Sequence, residues 1–242
     1  MGVDIDPYLV TSAQGRLDEA GLHPQLHVAD ATDVLPVATG EVDRIVAMVA
    51  VRAIPTSRLD DLPVGGRLVT TIAGTSLLVT AEKDADGGAS GRVEWDRAGF
   101  MQARHGADYE TLPDSLLLLA MTAAEGEEVM TDPYPVVDVE QAWDLASMLG
   151  LTTPGIVHRY SEAGGRRIAV MVQPDGSWAR AEGVGAERPT VHQAGPQQLW
   201  GALDAVRTDW LARGELPVRG ARVIVRPDGR TILVRGGWNT HT

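Results

Sequence analysis

No cysteine occurs in the 242 residues, so the chain forms no disulfide and offers no thiolate to a metal. That fits a reducing compartment, and a cytoplasmic location is the expectation. Lys83 is the single lysine among 21 basic side chains, against 33 acidic ones, for a formal net charge of −12. Such a balance argues against a general electrostatic grip on nucleic acid, which favours basic surfaces. No apolar run approaches the roughly 20 residues of a membrane span, and the N-terminus lacks the basic and apolar regions of a signal peptide. There is no Gly-x-Ser-x-Gly elbow and no Walker phosphate loop. Six histidines are scattered, and only His23 and His27 approach a metal-ligand spacing. Lying on a turn and the strand after it, they read as surface residues, so no metal site is expected. Neither nucleic acid nor membrane is an expected partner, and the oligomeric state stays open.

What is present is the pattern of an α/β protein. From residue 2 to about 80, short apolar runs alternate with helical stretches, which predicts βαβ units and a parallel sheet. Residues 8–20 place Leu9, Ala13, Leu17 and Ala20 at helical spacing, with Gly21 as the stop. Residues 25–29 and 67–73 read as strands, and 42–51 as a strand buried on both faces. Residues 57–62 suit a short helix. Past Gly74 the character changes: strands over 76–82 and 91–95 flank the turn-forming run 84–88, and a helix is expected within 113–124. Gly74-Thr75-Ser76 reads as a connecting turn. A linker over 108–134 separates a first domain, 1–107, from a second, α+β domain, 135–242. That second unit holds predicted helices at 138–149 and 197–212. It also holds hairpins over 166–181 and 222–235, each around a Pro-Asp-Gly turn, which reads as one turn type used twice. The run 125–128 reads as a solvated loop.

Candidate chemistry gathers at strand ends. Gly2-Val-Asp-Ile-Asp-Pro reads as a strand end, an acid (Asp4), and a helix start capped by Asp6 with Pro7 in the first turn. Asp30, in Val28-Ala-Asp-Ala31, ends the next strand. Consecutive parallel strands align their C-terminal ends along one edge, where ligands bind. A carboxylate at the first end suits the two hydroxyls of a ribose. A second, at the next end, suits an exocyclic adenine amine. This two-acid arrangement resembles S-adenosylmethionine sites, whereas nicotinamide sites share only the ribose acid. For Asp30 the alternative is a plain cap or loop residue.

Gly2-Val-Asp-Ile-Asp-Pro7, Val28-Ala-Asp-Ala31, Val42-Asp-Arg-Ile-Val-Ala47 with Val51-Arg-Ala-Ile-Pro55, and Val64-Gly-Gly-Arg-Leu-Val-Thr70 follow in that order. The series resembles class I methyltransferases related to protein-L-isoaspartate O-methyltransferase. Trp95-Asp-Arg-Ala-Gly-Phe-Met101, within 91–106, resembles an actinobacterial branch that accompanies ribosomally made, modified peptides. Residues 142–238 resemble that branch's extra C-terminal domain. The resemblance implies an incomplete Rossmann-like sheet followed by a smaller α+β domain. Its cofactor would be S-adenosylmethionine, held by Asp4 at the ribose, Ile5 against the adenine, Asp30 at the adenine amine with Ala31 beside it, and Ala47 with Met48 nearest the methyl donor. The family's glycine-rich loop and first, central strand have no counterpart here. Two strands are therefore expected to keep unpaired backbone edges, unless the stated start is wrong, another chain supplies the strand, or the chain is a remnant.

The implied activity is O-methylation of an isoaspartyl or aspartyl carboxylate in a protein or peptide. The alternative is a catalytically silent chain whose second unit binds peptides, with Trp143, Trp178, Trp200, Trp210 and Trp238 as groove or core residues.

Overall fold

The computed structural model of the chain describes residues 1–103, 114–122 and 125–241. The first elements are β1 (Gly2–Asp4), α1 (Pro7–Glu19) and β2 (Leu26–Val28), a parallel βαβ unit with Gly2 opposite Leu26 and Asp4 opposite Val28. Asp6 accepts a hydrogen bond from the Tyr8 amide at 2.8 Å, and Pro7 occupies the first turn of α1. The capping expected for Asp6 is therefore the role it has, since that carboxylate satisfies an orphan N–H.

β3 (Arg44–Val51), α2 (Thr56–Asp60), β4 (Arg67–Ile72), β5 (Leu77–Lys83) and β6 (Ala89–Arg97) follow. After α3 (Asp114–Thr122) come β7 (Glu128–Thr131), α4 (Trp143–Thr152), β8 (Val157–Ala163), β9 (Arg166–Val172), β10 (Trp178–Val184), β11 (Thr190–Ala194), α5 (Leu199–Ala212), β12 (Arg222–Val225), β13 (Thr231–Arg235) and β14 (Trp238–His241). Three sheets result. β1 and β2 stand alone; β7-β11-β10-β9-β8 form a five-stranded antiparallel sheet; β14-β13-β12-β6-β5-β4-β3 form a seven-stranded one. The architecture is α/β with mixed sheets, parallel at β1–β2 and β3–β4 and antiparallel elsewhere.

The division at 108–134 is not the division of the sheets. β12, from the expected second domain, pairs with β6, Val225 opposite Ala89 and Arg222 opposite Arg92. One apolar core holds Leu68, Val79 and Val93 together with Leu149, Leu203, Val223 and Leu233. Gly150 of α4 presses on the Gly74 carbonyl, which lies 2.5 Å from where a Cβ would stand. Burial across this seam is what a shared core requires. Parts of the expected boundary (104–113, 123–124) and of the 91–106 segment lie outside the described residues.

The two Pro-Asp-Gly hairpins use one turn geometry in two different sheets. The Gly176 amide donates to the Gln173 carbonyl and the Gly229 amide to the Arg226 carbonyl, at 3.1 and 2.9 Å. Both glycines sit at positive φ, +90° and +85°, which a residue with a Cβ adopts only under strain. Of the acidic run, residues 125–127 form a loop in which Glu125 and Glu127 are exposed, as expected, and only Glu128 enters a strand. Glu128 opens β7 and accepts from Gln193 Nε2 and Gln198 Nε2 at 2.9 and 3.0 Å, while Glu127 accepts from the Gly195 amide. Trp178, Trp200 and Trp238 are buried and Trp143 and Trp210 half-buried. Trp178 and Trp200 are core residues, whereas Trp143 and Trp210 line an open cleft of about 520 Å³ together with Arg97 and Arg219.

Candidate functional site

Between β1 and β3 lies a cleft of about 520 Å³. Asp4, Ile5, Asp30, Ala31, Ala47 and Met48, all chosen from sequence, line it. Each reaches the cleft for a local reason. Asp4 is the last residue of β1; its carbonyl accepts from the Ala29 amide at 3.0 Å, and its Oδ1 accepts from the Asp6 amide at 2.9 Å. The carboxylate is thus turned toward the start of α1, and it remains exposed.

Asp30 closes a tight turn after β2. Its Oδ1 accepts from both the amide and the hydroxyl of Thr32, at 2.8 and 2.7 Å. This is the loop role weighed for it from sequence, and it coexists with a place on the cleft wall. α2 holds that loop from the other side. Arg58 Nε donates to the Ala31 carbonyl at 3.1 Å, Arg58 Nη1 to Thr70 Oγ1 at 3.1 Å, and Ser57 Oγ to the Thr32 carbonyl at 2.9 Å. Arg58 is only 1% exposed. Burial pushes its pKa down, and the Asp30 carboxylate opposes that shift. The guanidinium so ties the Asp30 loop to the seven-stranded sheet.

Sequence reasoning passed over Arg58, Thr32 and the segment from Met101 to Ala103, all of which line the cleft. An arginine in a five-residue helix otherwise facing the core was the available signal for Arg58, because a buried guanidinium must find acceptors. Gln102 was not accessible in this way: it forms an isolated parallel bridge with Ala50 from 52 residues away in the chain.

The cleft is mostly apolar in lining and carries charge at a few points: Asp4, Asp6 and Asp30, with Arg44 and Arg58. Two acceptors separated by apolar walls fit a nucleoside, whose sugar and base edges are donors and whose ring faces are apolar. Elsewhere the chemistry is local. Thr75 Oγ1 donates to the Ile72 carbonyl and accepts from the Leu77 amide, so the hydroxyl of the 74–76 turn is engaged in the turn itself. His23 bonds Asp18 at 2.9 Å on the surface. Among the described residues no three His, Asp or Glu side chains gather as a metal site, and no helix is long and apolar enough to cross a membrane.

No family model matches the chain, and no curated protein matches it. Among solved structures it is similar to a protein-L-isoaspartate O-methyltransferase, at 14% identity and a TM-score of 0.41, over 99% of this chain and 66% of the other.

Proposed function

We propose that the chain carries the nucleoside-binding part of an S-adenosylmethionine-dependent methyltransferase that esterifies an isoaspartyl or aspartyl carboxylate of a protein or peptide. The observation that supports this is the convergence of Asp4 and Asp30, from the ends of adjacent parallel strands, on one cleft that Ile5, Ala31 and Ala47 also line. When bound, the cofactor supplies an electrophilic methyl group. Asp4 would accept from the ribose hydroxyls, Asp30 from the adenine amine, and Ile5 with Ala31 would cover the base. Ala47 and Met48 form the wall nearest the reacting end. A carboxylate acceptor is ionised at neutral pH, so its methylation needs positioning and exclusion of water more than a strong base.

Calorimetric titration of S-adenosylhomocysteine into the 242-residue chain tests the reading. Expected is saturable binding that weakens at least about tenfold, or about 1.4 kcal/mol, in Asp4→Ala and separately in Asp30→Asn. The second variant keeps an oxygen for Thr32 while removing the charge. A folded chain that releases no heat overturns cofactor binding by residues 1–242 as they stand.

A further inference from the structure

A second cleft of about 520 Å³ shares no residue with the first. Four stretches of chain build it: Arg97 at the end of β6, residues 141–145 at the start of α4, Trp210 of α5, and Arg219 in the turn before β12. Arg97 stands opposite Leu77, as Val93 stands opposite Val79. Paired residues share a face of the sheet, so Arg97 occupies the face that Leu77, Val79 and Val93 bury. There the core ends: Arg97 is exposed, and its guanidinium lies over the ring of Trp143. Trp210 forms another wall. Its indole N–H is shielded from water and has no hydrogen-bond partner among the described residues, which leaves a donor for an acceptor to satisfy.

The charges here do not balance. Loss of hydration, and then the neighbouring charge of Arg219, push the Arg97 pKa below its usual value. The Arg219 guanidinium stands 3.9 Å from Asp144 Oδ2, while Asp144 Oδ1 accepts from the Val218 amide at 3.1 Å. Among the described residues no carboxylate pairs with Arg97. Two arginines against one aspartate leave an excess positive charge in the cleft, on a chain of net charge −12. Ala142 begins α4 without a side-chain cap, so the positive end of the helix adds to that excess.

Forked guanidinium groups select carboxylates and phosphates, and the charge count separates the two. One carboxylate balances the excess. A phosphoryl group, at about −1.5 to −2 at pH 7, overshoots it and meets the Asp144 carboxylate. The rest of the lining is Trp143, Trp210, Ala142 and Leu145, apolar surface suited to side chains beside the acid. The volume lies within the roughly 300–1,000 Å³ of ligand sites, and the open mouth lets a chain continue past it. Met101, four residues after Arg97, lines the first cleft, so no more than about 14 Å of chain separates the two. We infer that the second cleft anchors an acidic residue, flanked by apolar side chains, of the peptide substrate, apart from the place where its carboxylate is methylated. The purpose of the anchor rests on the methyltransferase reading; the binding does not.

The probe is acetyl-Gly-Leu-Asp-Leu-Gly-amide, titrated into the 242-residue chain and followed by NMR at the indole N–H signals of Trp143 and Trp210. Expected is saturable movement of both signals. Affinity should fall at least about tenfold for the asparagine analogue, for acetate alone, and for Arg97→Gln or Arg219→Gln, while the Val79 and Val223 amide signals report an intact fold. The phosphoserine analogue should bind more weakly than the aspartate peptide. Asp144→Asn, which keeps an oxygen for the Val218 amide, should abolish or reverse that order. Equal affinity for the aspartate and asparagine peptides, or no binding, overturns the site. A tighter phosphoserine peptide in the wild type overturns the carboxylate, and acetate as tight as the peptide overturns the peptide. S-adenosylhomocysteine is absent from these titrations. Peptide binding by a chain that takes no cofactor removes the methyltransferase reading alone; cofactor binding without peptide binding removes the anchor alone. Where both bind, Arg97→Gln should raise KM at least about tenfold, with kcat unchanged, for an isoaspartyl peptide carrying the Leu-Asp-Leu anchor. An unchanged KM overturns the anchoring of substrate.

Discussion

Residues 2–28 and residues 67–97 both build strands from apolar residues, yet they bury their side chains to very different extents. In the first region α1 has no buried residue, and the first fully buried side chain of the whole chain is Leu35. In the second, Leu68, Val79 and Val93 are completely enclosed. The contrast is not one of composition, since Leu9, Val10, Leu17, Leu26 and Val28 are as apolar as their counterparts. It is one of layers. β4, β5 and β6 lie inside a seven-stranded sheet that shares one core with α4, whereas among the described residues β1 and β2 pair only with each other and pack against α1. Hydrophobic side chains stabilise only where a second layer removes them from water. The N-terminal unit has the apolar pattern of a sheet interior, and its side chains stay exposed or half-buried.

The sharpest way to widen this contrast is to strike the enclosed half at the buried charge network around Asp132. Asp132, wholly buried, accepts from Arg207 Nη2 at 2.6 Å and from Trp200 Nε1; Arg207 also donates to Asp204 at 2.6 Å and to the Pro135 carbonyl at 3.1 Å. Its guanidinium stands 4.6 Å from the centre of the Tyr134 ring. Removing one member of a buried pair leaves the other charge uncompensated, which costs about 3–5 kcal/mol. Asp132→Ala should lower the unfolding free energy measured by denaturant by that amount without touching the exchange rates of residues 2–28. A variant of wild-type stability would show that water reaches Arg207.

Next in size is a pair of leucines. Leu68→Ala opens a cavity in the seven-stranded sheet and should cost about 2–5 kcal/mol. Leu9→Ala, at a position 50% exposed, should stay within about 0.5 kcal/mol. Chemical denaturation of both variants checks the comparison. If Leu9→Ala costs as much as Leu68→Ala, the N-terminal unit packs in solution against something the cleft does not display.

Much of this was legible in the chain. The periods at residues 8–20, 25–29 and 67–73 foretold α1, β2 and β4 to within two residues, because each is a local pattern with a local stop. The hairpins around Pro174-Asp175-Gly176 and Pro227-Asp228-Gly229 were legible for the same reason, since turn chemistry sits in the turn. The strand from Arg44 to Val51 was expected to be buried on both faces and is open on one edge, with Val46 and Met48 exposed. Its sequence is that of a central strand; its surroundings are not. β7, β8, β11 and β14 escaped notice because their polar, alternating residues, such as Val157-His-Arg-Tyr160, carry no strong period of their own. The pairing of β12 with β6 joins residues about 130 apart, and no local signal encodes it. At the site, Asp4 and Asp30 were readable from strand ends, whereas Arg58 and Gln102 owe their place to tertiary packing.

A third test sets the five-stranded sheet against the N-terminal unit by pH. Burial, reinforced by the neighbouring Arg159 charge, pushes His158 on β8 from 6.5 down to about 4, and its Nδ1 has no hydrogen-bond partner. In the unfolded chain this imidazole takes up its proton near pH 6.5; in the folded chain it resists down to about 4. Between those values the unfolded state binds more protons, so the contribution of His158 is fully present above pH 6.5 and is lost as pH falls toward 4. Thermal melts across that window should show His158→Phe losing less stability on acidification than the wild type, with carboxylate titration common to both. Parallel slopes would show a hydrated imidazole.

The smallest expected effect lies where the fold is thinnest. Asp6 caps α1 through the Tyr8 amide at 2.8 Å, and exchanging such a cap for alanine costs about 0.5–2 kcal/mol when the helix is part of the cooperative unit. α1 buries nothing, so its opening is expected to be local, well below the global unfolding free energy. Asp6→Ala should then leave the global melt unchanged while speeding amide exchange within residues 8–12 severalfold. A cap whose loss costs nothing globally would show α1 opening without the enclosed core. A cost in the global melt would mean that the unit unfolds together with the enclosed core, and the contrast between the two regions would narrow to side-chain exposure.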